Sequence, residues 1–200
     1  MGRSVWMALL LALCAFQPAQ SLELSLKGSN VYLSGLINLG DNAKFEAFLL
    51  VNRGKSLRMV HLDSPGGWSG DMQEIARAIR KAGLSTAVDA SRATCASACT
   101  VLFAAGVQRY YYNAERISEG VRKADTAPGL GYHGASNSRS TIISGGQGPG
   151  TGTQQVINMY YEMGSGQAAK LVTQADPSQL YMINGQTALS MGIATSTSRP

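Results

Sequence analysis

Charge is scarce in this sequence. Asp, Glu, Lys and Arg make up 14% of its 200 residues, against 44% hydrophobic. A chain of that balance is not a charge-extended disordered segment, and it has the apolar side chains to bury a core. The basic excess is small, 17 Lys+Arg over 12 Asp+Glu, and the bases are scattered. Nucleic-acid binding asks for a basic face or stripe with aromatics between, and neither is present, so nucleic acid is excluded as a partner. No second apolar run reaches the roughly 20 residues needed to cross a bilayer. Internal repeats are absent, and the length suits one domain. Potential metal ligands are few: a zinc site built on Cys95, Cys99 and His133 lacks a clear fourth ligand, so neither a metal nor a cofactor is expected.

The first 21 residues read as an address. Arg3 supplies a short positive start, and Val5 to Phe16 is an uncharged apolar run. Its length matches the roughly 7–15-residue core of a secretory signal and falls short of a spanning helix. Small residues Ala19 and Ser21 sit three and one positions before a cut ahead of Leu22. Cleavage removes Arg3 and Cys14, keeps Cys95 and Cys99, and leaves residues 22–200 as a domain with no membrane anchor. The expected location is the periplasm or the exterior; an uncleaved N-terminal anchor is the alternative.

From there the pattern alternates strands and helices. Val31 to Ile37 is β-rich after the turn signal Lys27-Gly28-Ser29-Asn30. Asn42 is placed to cap a helix bearing Phe45, Phe48 and Leu49, and Leu57 to Leu62 is a short strand. His61 lies within that strand and reads as structural. Met72, Ile75, Ala76 and Ile79 form an i, i+3, i+4, i+7 stripe, with Asp71 and Glu74 as a capping box and Gly83 at the end. Ser85 to Val88 is the next strand. Ala96 to Ala105 is apolar nearly all round and predicts a buried helix. Asn113 to Ala127 reads as an insertion, and Ser136 to Gly152 as a long Gly/Ser-rich loop. Thr153 is expected to cap a helix bearing Val156, Tyr160 and Met163. Helices follow over Ala168–Val172 and Gln186–Met191, then a short strand. Such alternation argues for an α/β fold with a mainly parallel sheet.

Chemistry concentrates in three places. Ser64-Pro65-Gly66-Gly67 follows a strand and precedes a helix, so its backbone N–H groups can face a cleft unobstructed by side chains. Cys95-Ala96-Ser97-Ala98-Cys99 opens the apolar helix, which sets Ser97 at the positive end of a helix dipole. Gly131-Tyr132-His133-Gly134 follows the insertion. Ser97 could equally be a plain helix cap, and His133 an ordinary loop histidine. Cys95 and Cys99, at i and i+4 spacing, are either a disulfide or two buried thiols.

The order of these segments resembles the proteolytic subunit of Clp protease, within the ClpP/crotonase superfamily, from about Val31 to Ala194. It looks closest to exported relatives of that family. The resemblance implies a spiral of βαβ units, with Ser97 as nucleophile, His133 as general base, and the N–H groups of Gly67 and Ala98 as the oxyanion hole. Direct alignment puts Gln179 or Leu180 where the family keeps its acid. Asp176 is the nearest carboxylate, with a turn before Pro177 as its other reading. The implied function is a serine peptidase-like hydrolase acting through an acyl-enzyme on a peptide or protein substrate, with room for a homo-oligomer. A non-catalytic binding or scaffold protein on the same fold is the rival. A crotonase-like enzyme stabilising a thioester enolate is a third reading, to which a Ser-His pair adds nothing.

Overall fold

The computed structural model describes residues 21–123, 127–135 and 151–200. The apolar leader through residue 20 and residues 136–150 of the Gly/Ser-rich stretch lie outside the described residues.

β1 (Glu23–Lys27) and β2 (Asn30–Ser34) form an antiparallel hairpin whose turn is allowed by Gly28 at φ +62°. After α1 (Asp41–Val51), the strands β3 (Met59–Asp63), β4 (Ser85–Asp89) and β6 (Arg109–Tyr112) add in parallel, giving a sheet ordered β1-β2-β3-β4-β6. Period-two patterning decides its faces. Val31, Leu33, Val60 and Leu62 are buried, whereas Tyr32 and His61 between them are half-buried. Against the core side pack α2 (Ser69–Lys81) and α3 (Ala98–Ala105). The stripe Met72, Ile75, Ala76 and Ile79 is fully buried, and so are all eight residues of α3.

The second sheet is ordered β5-β8-β9-β7, from β5 (Thr94–Ala96), β8 (Gly129–Tyr132), β9 (Gln179–Ile183) and β7 (Gly120–Lys123). β5 and β8 are parallel; β9 runs antiparallel to both β8 and β7. Part of the expected insertion is thus the edge strand β7. The sheets meet where β3 runs on: Ser64 N–H donates to Thr94 O at 2.6 Å, and Ala96 N–H to Ser64 O at 3.1 Å. Tyr111 ties them further. Its phenol donates to Ile183 O at 2.9 Å and accepts from Leu130 N–H at 3.1 Å, so β6 holds both β8 and β9. Burial pushes that phenol well above the ordinary tyrosine range.

α4 (Thr151–Glu162), α5 (Gly166–Ala169) and α6 (Gly185–Ser190) complete the chain. Arg80 joins three helices. From α2 its guanidinium donates to Ala104 O at 3.0 Å and Met163 O at 2.7 Å, answering carbonyls at the ends of α3 and α4 that lack intrahelical partners.

Several local expectations are corrected. α1 begins after Gly40 in the left-handed region, so Asn42 lies inside the helix and does not cap it. Asp71 makes no capping box with Glu74: α2 starts after Trp68, Glu74 pairs with Arg77, and Asp71 bonds outward. Thr153 also lies inside its helix, and its Oγ1 accepts from Ala135 N–H at 3.0 Å. For Asp71 and Thr153 a tertiary partner takes the polar group that a local pattern would have used. Ala96 belongs to β5, not to the helix, because a short apolar run is buried equally well as either element.

Candidate active site

Ser97 stands at the junction of β5 and α3. Its backbone takes φ +54°, ψ −124°, a region that residues with a Cβ avoid. Three bonds hold it there. Ser97 N–H donates to Gly131 O at 2.9 Å, and Thr100 N–H and Oγ1 donate to Ser97 O at 3.0 and 2.5 Å. Tyr160 of α4 reaches the same Thr100 Oγ1 at 2.6 Å. The Ser97 side chain makes no capping hydrogen bond to α3, so the hydroxyl is not spent on the helix. Strained strand-to-helix turns of this kind raise a nucleophile out of the backbone.

The glycine turn lies directly over this junction. A Cβ on Gly66, at φ +97°, would come within 2.7 Å of Ala96 O, 2.8 Å of Ser97 Cβ and 2.9 Å of Ala98 N. Only glycine permits that approach. Ser64 Oγ, fully buried, accepts from Gly66 N–H at 3.1 Å. Gly67, at φ +139°, is clamped on both sides: Ile37 N–H donates to Gly66 O and Trp68 N–H donates to Ile37 O, each at 2.8 Å. Among the described residues, neither Gly67 N–H nor Ala98 N–H donates to a protein acceptor. Two free amides beside a hydroxyl can hold a developing oxyanion.

Cys95 and Cys99 are bridged, with Cα atoms 5.1 Å apart, and both are fully buried. The bridge spans the Ser97 turn from the strand below to the first turn of the helix above.

His133 follows β8. β5 and β8 pair in parallel with Ala96 opposite Gly131, so Ser97 and His133 each follow directly on the end of one of two neighbouring strands. Burial holds the imidazole below its ordinary range, with the Gly134 backbone pushing weakly the other way. That backbone closes no hydrogen bond of normal geometry on Nδ1, which is buried without a partner. Asp176 is exposed, and its carboxylate does not reach that nitrogen. Of the aligned positions, Leu180 is buried in an apolar cluster with Ala96 and Met182, and Gln179 is half-buried at the start of β9. Among the described residues no group of three or more His, Cys, Asp or Glu could hold a metal.

His61 lies elsewhere, on the other face of the first sheet. It stacks on Tyr32 with centroids 4.6 Å apart and lines two adjoining cavities of about 330 and 470 Å³. Burial lowers its pKa, and Arg92 and Arg199 lower it further.

Sequence reasoning missed Ile37, Asp71 and Thr100. Ile37 acts through backbone bonds to Gly66 and Trp68, Asp71 through its carboxylate to Gly40 and Asn42, and Thr100 through its hydroxyl to Ser97 and Tyr160, and these partners are brought together by the fold.

No family model matches this sequence, and no curated protein matches it. Among solved structures, a serine-to-alanine mutant of 1510-N membrane-bound stomatin-specific protease is 16% identical at TM-score 0.54, covering 84% of this chain and 78% of that one. A lysine-to-alanine mutant of the same protease, in complex with a substrate peptide, is 16% identical at TM-score 0.55, covering 84% and 74%. A ClpP1 mutant from Listeria monocytogenes is 14% identical at TM-score 0.56, covering 86% and 92%. The parallel first sheet, the second sheet joined through Ser64, and these likenesses together make this chain an α/β protein with the ClpP-like fold.

Proposed function

We propose that this chain is an exported serine peptidase acting through an acyl-enzyme, with Ser97 as nucleophile and His133 as general base. The observation that carries the reading is the strained backbone of Ser97 beneath the Gly66-Gly67 turn, its hydroxyl uncommitted and two amides free beside it. Such strain persists only where the surroundings enforce it, and it clusters at reactive positions. In this reading the Ser97 hydroxyl proton passes to His133 as Oγ attacks the substrate carbonyl. Gly67 and Ala98 N–H groups take the oxyanion. His133 returns the proton to the departing amine, and water then repeats the sequence on the ester. Burial favours the neutral form of His133, the state a base needs. A peptide substrate is supported by the substrate peptide bound to a protease of the same fold. Export rests on the apolar run Val5 to Phe16 and the small residues before Leu22.

One observation favours the rival scaffold reading: His133 Nδ1 lacks the acceptor that normally orients a catalytic imidazole. A fluorophosphonate probe decides. Labelling of the wild type that Ser97→Ala abolishes supports the peptidase; no labelling of a folded wild type supports the scaffold. Location is read by fractionating cells and sequencing the N-terminus, which should begin at Leu22.

A further inference from the structure

The reading of Gly67 as an oxyanion donor raises a question of aim. Its N–H points wherever its two neighbours are held, and both are held by one residue. Ile37 receives Trp68 N–H on its carbonyl and gives its own N–H to Gly66 O, so the Gly67 unit is fixed between two 2.8 Å bonds to a single backbone. A Cβ on Gly67 would lie 2.1 Å from Ile37 O, which leaves no slack between the segments.

Ile37 needs support of its own, for it lies beyond the end of β2 in the stretch leading to α1. Asp71 closes that stretch. Its carboxylate, 4% exposed, accepts through Oδ1 from Gly40 N–H and Asn42 N–H, both at 2.9 Å. No salt bridge to Asp71 exists among the described residues, so these amides at the head of α1 are its partners. A buried carboxylate without a cation is costly unless amides satisfy it, and the positive ends of α1 and α2 both favour it there. Asp41 braces the same turn, its Oδ2 accepting from Asn38 N–H at 2.6 Å. Gly67 and Asp71 sit on one segment and Ile37 and Gly40 on the other, joined at both ends: backbone to backbone at the turn, carboxylate to amide at the helix heads.

We propose that Asp71 is a positioning residue for the oxyanion hole, holding the Ile37 segment so that Gly67 N–H stays aimed at the site. This rests on the peptidase reading. The role is geometric, so an acceptor of the same shape should serve. Asp71→Asn keeps Oδ1; Asp71→Ala removes it. Asn42→Pro removes one of the two donors at a first-turn position that proline tolerates.

The test measures the second-order rate of fluorophosphonate labelling and, separately, backbone amide exchange over residues 66–68. Misaiming a donor costs less than deleting one, so Asp71→Ala should label about tenfold to a hundredfold more slowly. Asn42→Pro should slow labelling about threefold on the same scale, and Asp71→Asn should stay within about threefold of wild type. Exchange at Trp68 should rise in Asp71→Ala and Asn42→Pro while Val60 and Leu62 in β3 remain protected. Folded Asp71→Ala or Asn42→Pro labelling at the wild-type rate overturns the proposal. So does an Asp71→Asn as slow as Asp71→Ala, since charge rather than geometry would then be at work. If Asp71→Ala does not fold, Asn42→Pro against Asp71→Asn carries the comparison. Absence of labelling in wild type refutes the peptidase reading instead, and exchange then decides the clamp alone: unchanged Trp68 protection in the variants overturns it.

Discussion

Replacing Gly67 by alanine tests the tightest contact in the site. Two penalties follow from the geometry. The backbone sits at φ +139°, where an L-residue is strained by about 1–3 kcal/mol. The added methyl would also stand 2.1 Å from Ile37 O and 2.9 Å from Ile37 N, both backbone atoms that cannot rotate away. Overpacking of that kind costs about 1–3 kcal/mol more. The sum, about 2–6 kcal/mol, is a large share of the roughly 5–15 kcal/mol by which a domain is stable. Gly28→Ala is the matched control. Its φ of +62° imposes the backbone penalty, about 1–2 kcal/mol, but nothing lies within 4 Å of the new methyl.

Urea unfolding, followed by circular dichroism, separates the two. Gly67→Ala should unfold at a clearly lower urea concentration than Gly28→Ala, with a similar slope. The variant should also label poorly with fluorophosphonate wherever it remains folded, because relief of the clash must rotate or shift the Gly67 peptide. Equal midpoints for the two variants would refute the reasoning, since the Ile37 contact would then be soft.

Other expectations follow from the same framework. Opening the Cys95–Cys99 bridge by a double serine substitution should lower stability by about 2 kcal/mol for so short a loop and also slow labelling of Ser97 in the folded variant; a folded variant that labels at the wild-type rate would count against a local role. Arg80→Ala should destabilise by about 2 kcal/mol, because two helix-end carbonyls lose a charged donor, and urea unfolding would show it. Labelling should rise with pH through a midpoint below 6.5, since burial favours neutral His133; a midpoint above 6.5 would remove burial as the governing cause. Stability carries the matching sign. Both His61 and His133 titrate lower when folded, so the unfolded chain binds protons first and stability should fall as pH drops through about 6.5.

Periodic elements were legible from the sequence because burial on one face repeats in it. The stripe from Met72 to Ile79 and the all-apolar run through Ala105 are α2 and α3. The order of strand, glycine turn, serine and histidine carried the fold class. What was not legible is where polar groups find partners. Asn42, Thr153 and the Asp71–Glu74 pair satisfy local capping patterns, yet Asp71 and Thr153 bond across the fold and Asn42 gives its N–H to Asp71. Capping patterns describe what a segment would do alone, whereas the Asp71 carboxylate and the Thr153 hydroxyl accept from N–H groups on other segments at 2.9 and 3.0 Å. The strain at Ser97 is equally invisible, for nothing in Cys-Ala-Ser-Ala-Cys demands a positive φ. It arises because Gly131, Thr100 and the bridge each fix one side of the turn.

The unpartnered Nδ1 of His133 has a structural reason, and it yields a last prediction. β8 and β9 pair antiparallel with Gly131 opposite Met182 and Tyr132 opposite Tyr181. Were the pairing carried one step past the end of β8, His133 would stand opposite Leu180 on the same face of the sheet. Leu180 is 2% exposed and packs with Ala96 and Met182, so one of the two aligned positions for a triad acid, Gln179 being the other, holds a buried hydrocarbon. Leu180→Asp would set a carboxylate beside the imidazole. A neighbouring negative charge favours the imidazolium, so His133 should titrate higher than in wild type, opposing the downward push of burial. The substitution should also cost about 2–4 kcal/mol through lost apolar burial. Leu180→Asn shares that cost without the charge and serves as its control. Proton NMR titration of the imidazole in both variants reads the difference. A His133 pKa that rises in Leu180→Asp but not in Leu180→Asn, with faster labelling above that pKa, would mean that the absence of an acid at residue 180 is what leaves the base unbuttressed. If the imidazole titrates identically in the two, the extended register is wrong and the ring faces another segment.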